Sequence, residues 1–349
     1  MKYFSLLLLV LTIVACKNEK VKYKKAISKV EINNVLEDST LNIRALEVLD
    51  HSSIAFAANK NTYGLYNSET DEWLISEQTY DSLNLEFRAI ANNSEDFFML
   101  NVGNPALLFK TSNAGDMELV YKEEHEKVFY DAMTFWNKKE GIAIGDATDD
   151  CLSIIITRDG GKSWDKVPCN MLPKAIKGAA AFAASNTNIV VKGSKTWIAT
   201  GGLVSTILFS SDKGKTWEVF DTPIVQGKET TGMYSIDFYD DMTGFAIGGD
   251  YTNPEANAAN KIRTIDGGKT WKLVAENQEP GYRSCVQYIP NSGGEELVTV
   301  GFKGVDYSKD KGATWQHLTD EGFYTLRFVN DSVAYAAGQG RISKLLFMR

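Results

Sequence analysis

The sequence predicts an all-β chain that closes into a seven-bladed β-propeller of four-stranded blades. Three observations lead to this prediction: an eight-residue motif recurs in phase, its copies are one blade apart, and turn-forming and aromatic residues are abundant. The 349 residues include 28 Gly, 7 Trp, 15 Tyr and 17 Phe but only 7 Pro. This composition is typical of many short strands joined by tight turns.

The recurring motif has the pattern Ser/Thr-x-Asp-x-Gly-x-Ser/Thr-Trp, known as an Asp box. Four copies occupy residues 157–164, 210–217, 264–271 and 308–315, and their acidic positions are Asp159, Asp212, Asp266 and Asp310. We expect each copy to form a hairpin turn in which the carboxylate accepts loop N–H groups. Gly supplies a positive φ and Trp packs between sheets. These four aspartates are therefore assigned a structural role.

The spacing of the motif sets the number of blades. Two degenerate copies at 66–73 and 111–115 extend the series, and successive copies lie 44 to 54 residues apart, the length of one four-stranded blade. Residues 323–329, 333–337 and 341–347 read as three further strands. The alternating stretch 28–33 is expected to supply the outer strand of this last blade, which removes the exposed sheet edges. Six blades with one irregular pair is the alternative count.

The N-terminus predicts an export signal. Residues 3–15 are an apolar run that is too short to span a bilayer, and Ile13-Val14-Ala15-Cys16 resembles a bacterial lipobox. We expect a lipoprotein signal peptide at 1–15, an acylated Cys16, a lipid-anchored linker at 16–27 and the propeller at 28–349. The protein would then lie outside the cytoplasm, at the outer membrane, on its periplasmic side or at the cell surface. The alternative is an ordinary secretory signal with an incidental cysteine.

The three remaining cysteines would lie in an oxidising compartment. Cys151 and Cys169 flank the hairpin predicted around Gly160 at equal distances, so we expect them to face each other and form a disulfide. The alternative is two free thiols. Cys285 lies in an apolar strand and is expected to be a buried free thiol.

The net charge and the motif content of the sequence argue against several classes of function. Lys and Arg number 37 against 45 Asp and Glu, a net charge of −8 that argues against a nucleic-acid partner. His51, His125 and His317 share no phase of the repeat, so no metal site is predicted. Dinucleotide fingerprints, phosphate-binding loops and nucleophile elbows are absent from the sequence, and no cofactor is predicted.

Candidate binding residues emerge when the beginnings of the innermost strands are aligned. The fourth of these strands is taken to begin at residues 178–180, which leaves a small residue at that position. The resulting column at the channel mouth reads Arg44, Arg88, Asp131, a small residue, Tyr234, Arg283 and Tyr324. Loops between second and third strands open on the same face and add Asp146, Asp250 and Lys303.

Arginines that converge on a concave mouth favour carboxylate, sulfate or phosphate recognition, because the guanidinium fork pairs with such groups bidentately. We therefore expect these residues to bind an anionic ligand. The alternative is that charges in the ring pair with one another, for example Arg88 with Asp131, and only fill a wet channel.

Several stretches resemble one known family. Together with the Asp boxes, they resemble the BNR-like propellers related to photosystem II stability/assembly factors, over nearly the whole mature chain: 129–135 with 141–146, 181–187, 248–251, 281–284 and 306–308. The resemblance points to a bacterial lipoprotein branch that is seven-bladed and often labelled oxidoreductase. Resemblance at the level of a propeller does not carry function.

A complete structural repeat without a complete catalytic constellation favours a binding module. We expect a non-enzymatic, monomeric, lipid-anchored propeller that binds a protein or an anionic glycan at its mouth. The first alternative is a glycan-active enzyme, a hydrolase or lyase with a sialidase-like site that uses Asp131 or Tyr234. The sialidase Phe/Tyr-Arg-Ile-Pro signature is absent from the sequence. The weaker alternative is an oxidoreductase, although no cofactor site is visible.

Overall fold

The computed structural model describes residues 25–111 and 116–349; the predicted signal peptide and Cys16 lie outside the described residues. Seven antiparallel sheets form blades around a central channel, which confirms the predicted seven-bladed β-propeller. In the described residues the helical element is one short 3-10 turn, Cys169–Met171. No helix among them is long and apolar enough to cross a membrane.

The blades are numbered in chain order, and within each blade the strands run from the channel outward. Blades 1 to 3 comprise Ala45–Val48, Ser53–Ala57, Thr62–Asn67 and Glu72–Glu77; Phe87–Asn92, Phe97–Asn101, Ala106–Thr111 and Met117–Glu123; and Tyr130–Phe135, Gly141–Ala147, Leu152–Thr157 and Asp165–Lys166. Blades 4 to 6 comprise Ile189–Lys192, Lys195–Ala199, Thr206–Ser210 and Glu218–Asp221; Thr231–Phe238, Gly244–Asp250, Lys261–Thr264 and Lys272–Leu273; and Cys285–Tyr288, Leu297–Gly301, Gly304–Ser308 and Gln316–Thr319.

Blade 7 closes the ring with the N-terminal strand, as predicted. It consists of Thr325–Phe328, the long strand Val333–Met348 and Lys29–Asn42. The long strand reverses near Gly340, where φ is +74°, and the backbone N of Phe347 donates to the carbonyl of Ser332 (2.8 Å), which brings the two ends of the strand together. Lys29–Asn42 then pairs antiparallel with the second half. Strands from both ends of the described chain therefore share one sheet, and this shared sheet closes the ring between blades 7 and 1.

Each Asp-box turn is held by its own carboxylate. In blade 3, Oδ1 of Asp159 accepts from the backbone N of Ser163 (3.1 Å) and from the hydroxyl of Thr157 (2.9 Å), and Oδ2 accepts from the Ser163 hydroxyl (2.7 Å). Matching bonds surround Asp212, Asp266 and Asp310. Burial acts to raise the pKa of these carboxyls, but the hydrogen bonds hold each pKa below its ordinary value.

Blade 3 contains the predicted disulfide. Cys151 immediately precedes the third strand and Cys169 follows the fourth, and the two residues are bonded with their Cα atoms 5.4 Å apart. The bond anchors the loop that leads to blade 4. Cys285 is a buried free thiol.

The inner strand of blade 4 departs from the prediction that it begins at 178–180 and continues from there. Ala179–Ala180 pairs with Gly201–Gly202, which joins the sheet of blade 5, and the inner strand of blade 4 begins only at Ile189–Lys192. Residues 181–188, here called the plug segment, fill the gap. All of them are buried except Phe182, which is half-buried.

The plug segment crosses the channel and bonds to blades on every side. The Asn186 side chain donates to the carbonyl of Ile90 (2.8 Å) in blade 2 and accepts from the amide of Met133 (3.0 Å) in blade 3. The Ile236 amide in blade 5 donates to the Thr187 carbonyl (2.9 Å). Further bonds join Ser185 to Ser284 of blade 6 and Thr325 of blade 7. The plug segment therefore separates the channel into two cavities.

Candidate functional site

The larger of the two channel cavities, here called the mouth cavity, has a volume of about 370 Å³ and lies on the face opposite the Asp boxes. The plug segment forms its floor through residues 181–184. The walls come from the inner strands and from loops of six blades: Arg44, Arg88, Phe129, Asp146, Ala180, Glu229, Tyr234, Tyr251, Tyr282, Phe302 and Tyr324.

Three of the predicted column residues sit at β-bulges. Phe87 pairs with Asn101 while Ala89 pairs with Leu100, so Arg88 is the extra residue of the inner strand. The same shift makes Asp131 the extra residue in blade 3 and Tyr234 the extra residue in blade 5. A bulge re-aims the side chain that it carries and is common beside functional sites.

Arg44 and Arg88 form the cationic side of the cavity. The Arg44 guanidinium stacks on the ring of Tyr324, 4.0 Å from its centroid, and its Nη1 donates to the carbonyl of Ala184 (3.4 Å). Its buried Nε has no hydrogen-bond partner among the described residues. Burial, followed by the charge of Arg88, lowers the pKa of Arg44.

Arg88 pairs with Glu86 (Nε to Oε1, 2.7 Å), rather than with Asp131 as the wet-channel alternative supposed.

An aromatic wall faces these arginines. Phe182 stacks on Tyr234 with ring centroids 4.1 Å apart, and Tyr282 meets Tyr234 edge to face at 4.8 Å. Tyr251 and Phe302 stand at the rim, 48% and 41% exposed. The hydroxyl of Tyr234 donates to the carbonyl of Thr230 (2.9 Å), and burial raises its pKa. The wall is therefore apolar and uncharged near neutral pH.

Two carboxyls of blade 3 lie next to each other, but only one of them lines the cavity. Oδ1 of Asp146 accepts from the backbone N of Ala181 (2.8 Å), and burial raises the pKa of Asp146 to about 6. Asp131 is completely buried behind the lining, where a hydrogen bond from the backbone N–H of Ala183 in the plug segment favours its ionised form. Burial, and then the charge of Asp146, raises the pKa of Asp131 well above its ordinary value, against the opposing effect of Arg88.

Besides Asp131, three predicted site residues do not line the mouth cavity. Arg283 is buried, with its Nε on Oδ2 of Asp306 (2.7 Å) and its Nη1 on the carbonyl of Tyr282 (2.8 Å). Asp250 accepts from the backbone N and hydroxyl of Thr252. Lys303 pairs with Glu255 (2.8 Å).

The sequence prediction missed several lining residues: Phe129, Phe182, Glu229 and Tyr282. Tyr282 immediately precedes the column position of blade 6, and Phe129 lies two residues before that of blade 3, so shifts of one and two residues in the alignment find them. Phe182 belongs to the plug segment, which has no equivalent in the other blades. No group of three His, Cys, Asp or Glu side chains within 25–111 and 116–349 is placed to hold a metal ion.

The fold and the cavity define a β-propeller whose channel is blocked by its own chain, with one cavity on either side of the block. No protein-family model matches the chain, and no curated protein matches its sequence. Solved structures do match its fold. One described as YCF48 bound to a D1 peptide has a TM-score of 0.66 and 14% identity, covering 93% of this chain and 98% of that chain.

Two further structures show the same relationship. YCF48 from Cyanidioschyzon merolae has a TM-score of 0.63 and 10% identity, over 92% of this chain and 99% of that chain. The WD40 repeats of RRP9 have a TM-score of 0.62 and 12% identity, over 93% and 99%. At these identities the similarity establishes the propeller fold.

Proposed function

We propose that this protein is a non-enzymatic, monomeric binding propeller that takes an anionic segment of a partner protein into its mouth cavity. The observation that carries the proposal is the pairing of Arg44 and Arg88 with an aromatic wall across one cavity. Arginine and tyrosine are strongly enriched among the residues that dominate protein–protein binding energies. The guanidinium groups suit carboxylates of the partner, while the aromatic rings suit its apolar side chains.

The apolar part of the lining favours a protein segment over an anionic glycan. Phe129, Phe182 and Phe302, with four alanines at 180, 181, 183 and 184, present hydrocarbon surface. This surface suits the apolar side chains of a peptide better than the hydroxyl groups of a glycan. The similar structure described as YCF48 bound to a D1 peptide supports testing a peptide first.

The glycan-active alternative gains no support from the geometry. Of the nominated carboxyls, Asp146 lines the cavity, Asp131 lies behind the lining, and Asp250 is engaged by Thr252. Most glycoside hydrolases use two carboxyls that flank one bond, whereas sialidases use a tyrosine nucleophile. The hydroxyl of Tyr234, the nominated nucleophile, is occupied by the Thr230 carbonyl, and its raised pKa keeps it protonated.

We also propose that Cys16 is acylated and tethers the propeller to a membrane outside the cytoplasm. The lipobox-like residues 13–16 support this proposal. The nine residues from Cys16 to the start of the described chain span at most about 30 Å, which would hold the propeller near the bilayer surface. Cells fed radiolabelled palmitate should label the wild type and not Cys16→Ala. Equal labelling of both proteins would contradict lipidation at Cys16.

Selection from a peptide library tests the binding proposal. Phage that display random dodecapeptides are panned against the purified propeller, and parallel panning uses Arg44→Ala/Arg88→Ala. We expect wild type to enrich peptides that combine Asp or Glu with an aromatic or aliphatic residue, and we expect the variant to lose them. Enrichment of the same peptides on both proteins, or of basic peptides on the wild type, would contradict an anion-binding mouth.

A further inference from the structure

We propose that Asp146 makes anion binding at the mouth proton-linked, so that the cavity accepts an anionic segment while Asp146 is neutral and disfavours it once Asp146 is ionised. This inference rests on the proposed function, because it concerns the regulation of the same site. It goes beyond that function by assigning a switch to a residue that does not itself attract the ligand.

The position of Asp146 supports this role. Its carboxyl shares the mouth cavity with Arg44 and Arg88, and the amide of Ala181 in the floor holds its Oδ1 at 2.8 Å. Its own backbone N is bonded to the carbonyl of Phe129 (2.8 Å), so the residue is fixed at both ends. All three side chains line one cavity of about 370 Å³, so an anion bound to the arginines shares that cavity with the Asp146 carboxyl. An ionised carboxylate there repels the anion, and partial burial strengthens the repulsion.

The pKa of Asp146 lies close to physiological pH. Burial raises its pKa to about 6, despite the opposing effect of the Ala181 amide. Burial and the charge of Asp146 raise the pKa of Asp131, which lies directly behind it, well above the ordinary value. The Asp131→Asn variant therefore serves to separate any titration of Asp131 from that of Asp146.

Other ionisable groups also surround Asp146. The cavity itself holds Arg44, Arg88 with its partner Glu86, Glu229, and the tyrosines at 234, 251, 282 and 324. An adjoining outer groove, which Asp146 also lines, carries Lys127, Asp149, Asp150, Lys174 and Lys177. Lysine, arginine and tyrosine side chains ordinarily change charge outside pH 5 to 8. His125 lies in the loop before Phe129, where its Nδ1 accepts from the backbone N of Lys127, a residue of the outer groove, so this histidine requires its own control.

The direction of the pH effect follows from the linkage between proton binding and anion binding. Below pH 6 Asp146 is neutral and the affinity for anions is highest; as pH rises through 6, the carboxyl ionises and affinity falls. Conversely, a bound anion raises the pKa of Asp146. If the bound anion favours the protonated carboxyl tenfold, affinity falls about eightfold between pH 5 and pH 8.

The test uses sulfate as the probe, at constant ionic strength so that screening does not change. Carboxyl ¹³C shifts of the ligand-free protein report the titration of Asp146, and the amide signal of Ala181 reports sulfate binding from pH 5 to pH 8. We expect Asp146 to titrate near pH 6 and sulfate affinity to fall about eightfold with the same midpoint. Asp146→Asn should bind sulfate at pH 8 as tightly as the wild type does at pH 5. Asp131→Asn and His125→Gln should keep the pH dependence.

Three results would overturn the inference: titration of Asp146 near its ordinary pKa, persistence of the pH dependence in Asp146→Asn, or its loss in His125→Gln. Sulfate binding at the mouth that does not vary with pH also overturns it, but this outcome leaves the proposed function standing. If neither sulfate nor a selected acidic peptide binds at any pH, both the inference and the proposed function fail.

Discussion

Replacing Arg283 with methionine is expected to lower the free energy of unfolding by about 3–5 kcal/mol, because it leaves a buried charge without its main partner. The Arg283 and Asp306 side chains are only 5% and 3% exposed, and Nε and Oδ2 are 2.7 Å apart. His317 contacts the other carboxylate oxygen at 2.9 Å, but it is itself half-exposed and a weaker substitute. We expect the melting temperature to fall by roughly 5 °C, measured by scanning calorimetry.

A matched control and a second variant test whether the lost stability comes from the buried ion pair. Lys138→Met breaks an exposed ion pair with Glu95 and should change stability by less than about 1 kcal/mol. Arg283→Met/Asp306→Leu removes both buried charges and should recover most of the loss. If the double variant is less stable than Arg283→Met, the buried ion pair does not account for the destabilisation. Arg283 would then stabilise the fold by packing alone.

Replacing both Arg44 and Arg88 with alanine is expected to weaken binding of a selected acidic peptide by at least about 100-fold. Each hydrogen bond between a guanidinium and a carboxylate is worth about 1.5–3 kcal/mol, and 1.4 kcal/mol corresponds to a factor of ten in affinity. Stability should hardly change, because Arg88 pairs at a partly exposed site and the Nε of Arg44 is unpartnered within the described chain. Isothermal titration calorimetry measures the affinity, and a thermal melt measures the stability.

The control for the mouth arginines is Arg158→Ala. Arg158 lies in the Asp-box turn of blade 3, on the opposite face, where it pairs with Glu140 (2.9 Å). This variant also removes one positive charge, so it separates a local effect from a change in net charge. We expect its affinity to equal that of the wild type. Affinity of the Arg44→Ala/Arg88→Ala protein within threefold of the wild type would show that the ligand does not use these arginines.

Much of the fold was predictable because it is encoded locally and repeated. The Asp-box turn contains its own hydrogen-bond donors and acceptors, so the eight residues around Asp159 specify it without the rest of the chain. The closing strand was predictable from alternation of apolar residues, since Val30 and Ile32 pack on the core of blades 6 and 7. The disulfide followed from symmetric placement of Cys151 and Cys169 about one hairpin.

The plug segment was not predicted because insertions have no repeat to align with. The sequence does contain an indication of it. The Asp boxes of blades 3 and 4 are 53 residues apart, whereas the preceding copies are 45 and 46 apart. The boxes of blades 4 and 5 are 54 apart without such a segment, so the spacing indicates inserted residues and not a plug in particular. The spacing does not show the path that the inserted residues take in the fold. Its course across the channel depends on bonds from Asn186 and Thr187 to three other blades.

The makeup of the mouth was predicted only in part, since it depends on register and on distant partners. Successive strand residues point to opposite faces, so an error of one residue exchanges Tyr282 for Arg283. The bulges at Arg88 and Tyr234 change that register within single strands. Arg283 does not line the mouth, because its Nε donates to Asp306 on another strand of blade 6. No local pattern in the sequence indicates this pairing.

The central claim is that the mouth cavity is the binding site. A selected acidic peptide with one aromatic residue replaced by a photoreactive benzoylphenylalanine can be cross-linked to the protein, and the adduct can be located by mass spectrometry. We predict adducts on the rim residues Tyr251 and Phe302 or on residues 181–184, and their loss in Arg44→Ala/Arg88→Ala. Adducts confined to the Asp-box face, or unchanged in that variant, would contradict the account.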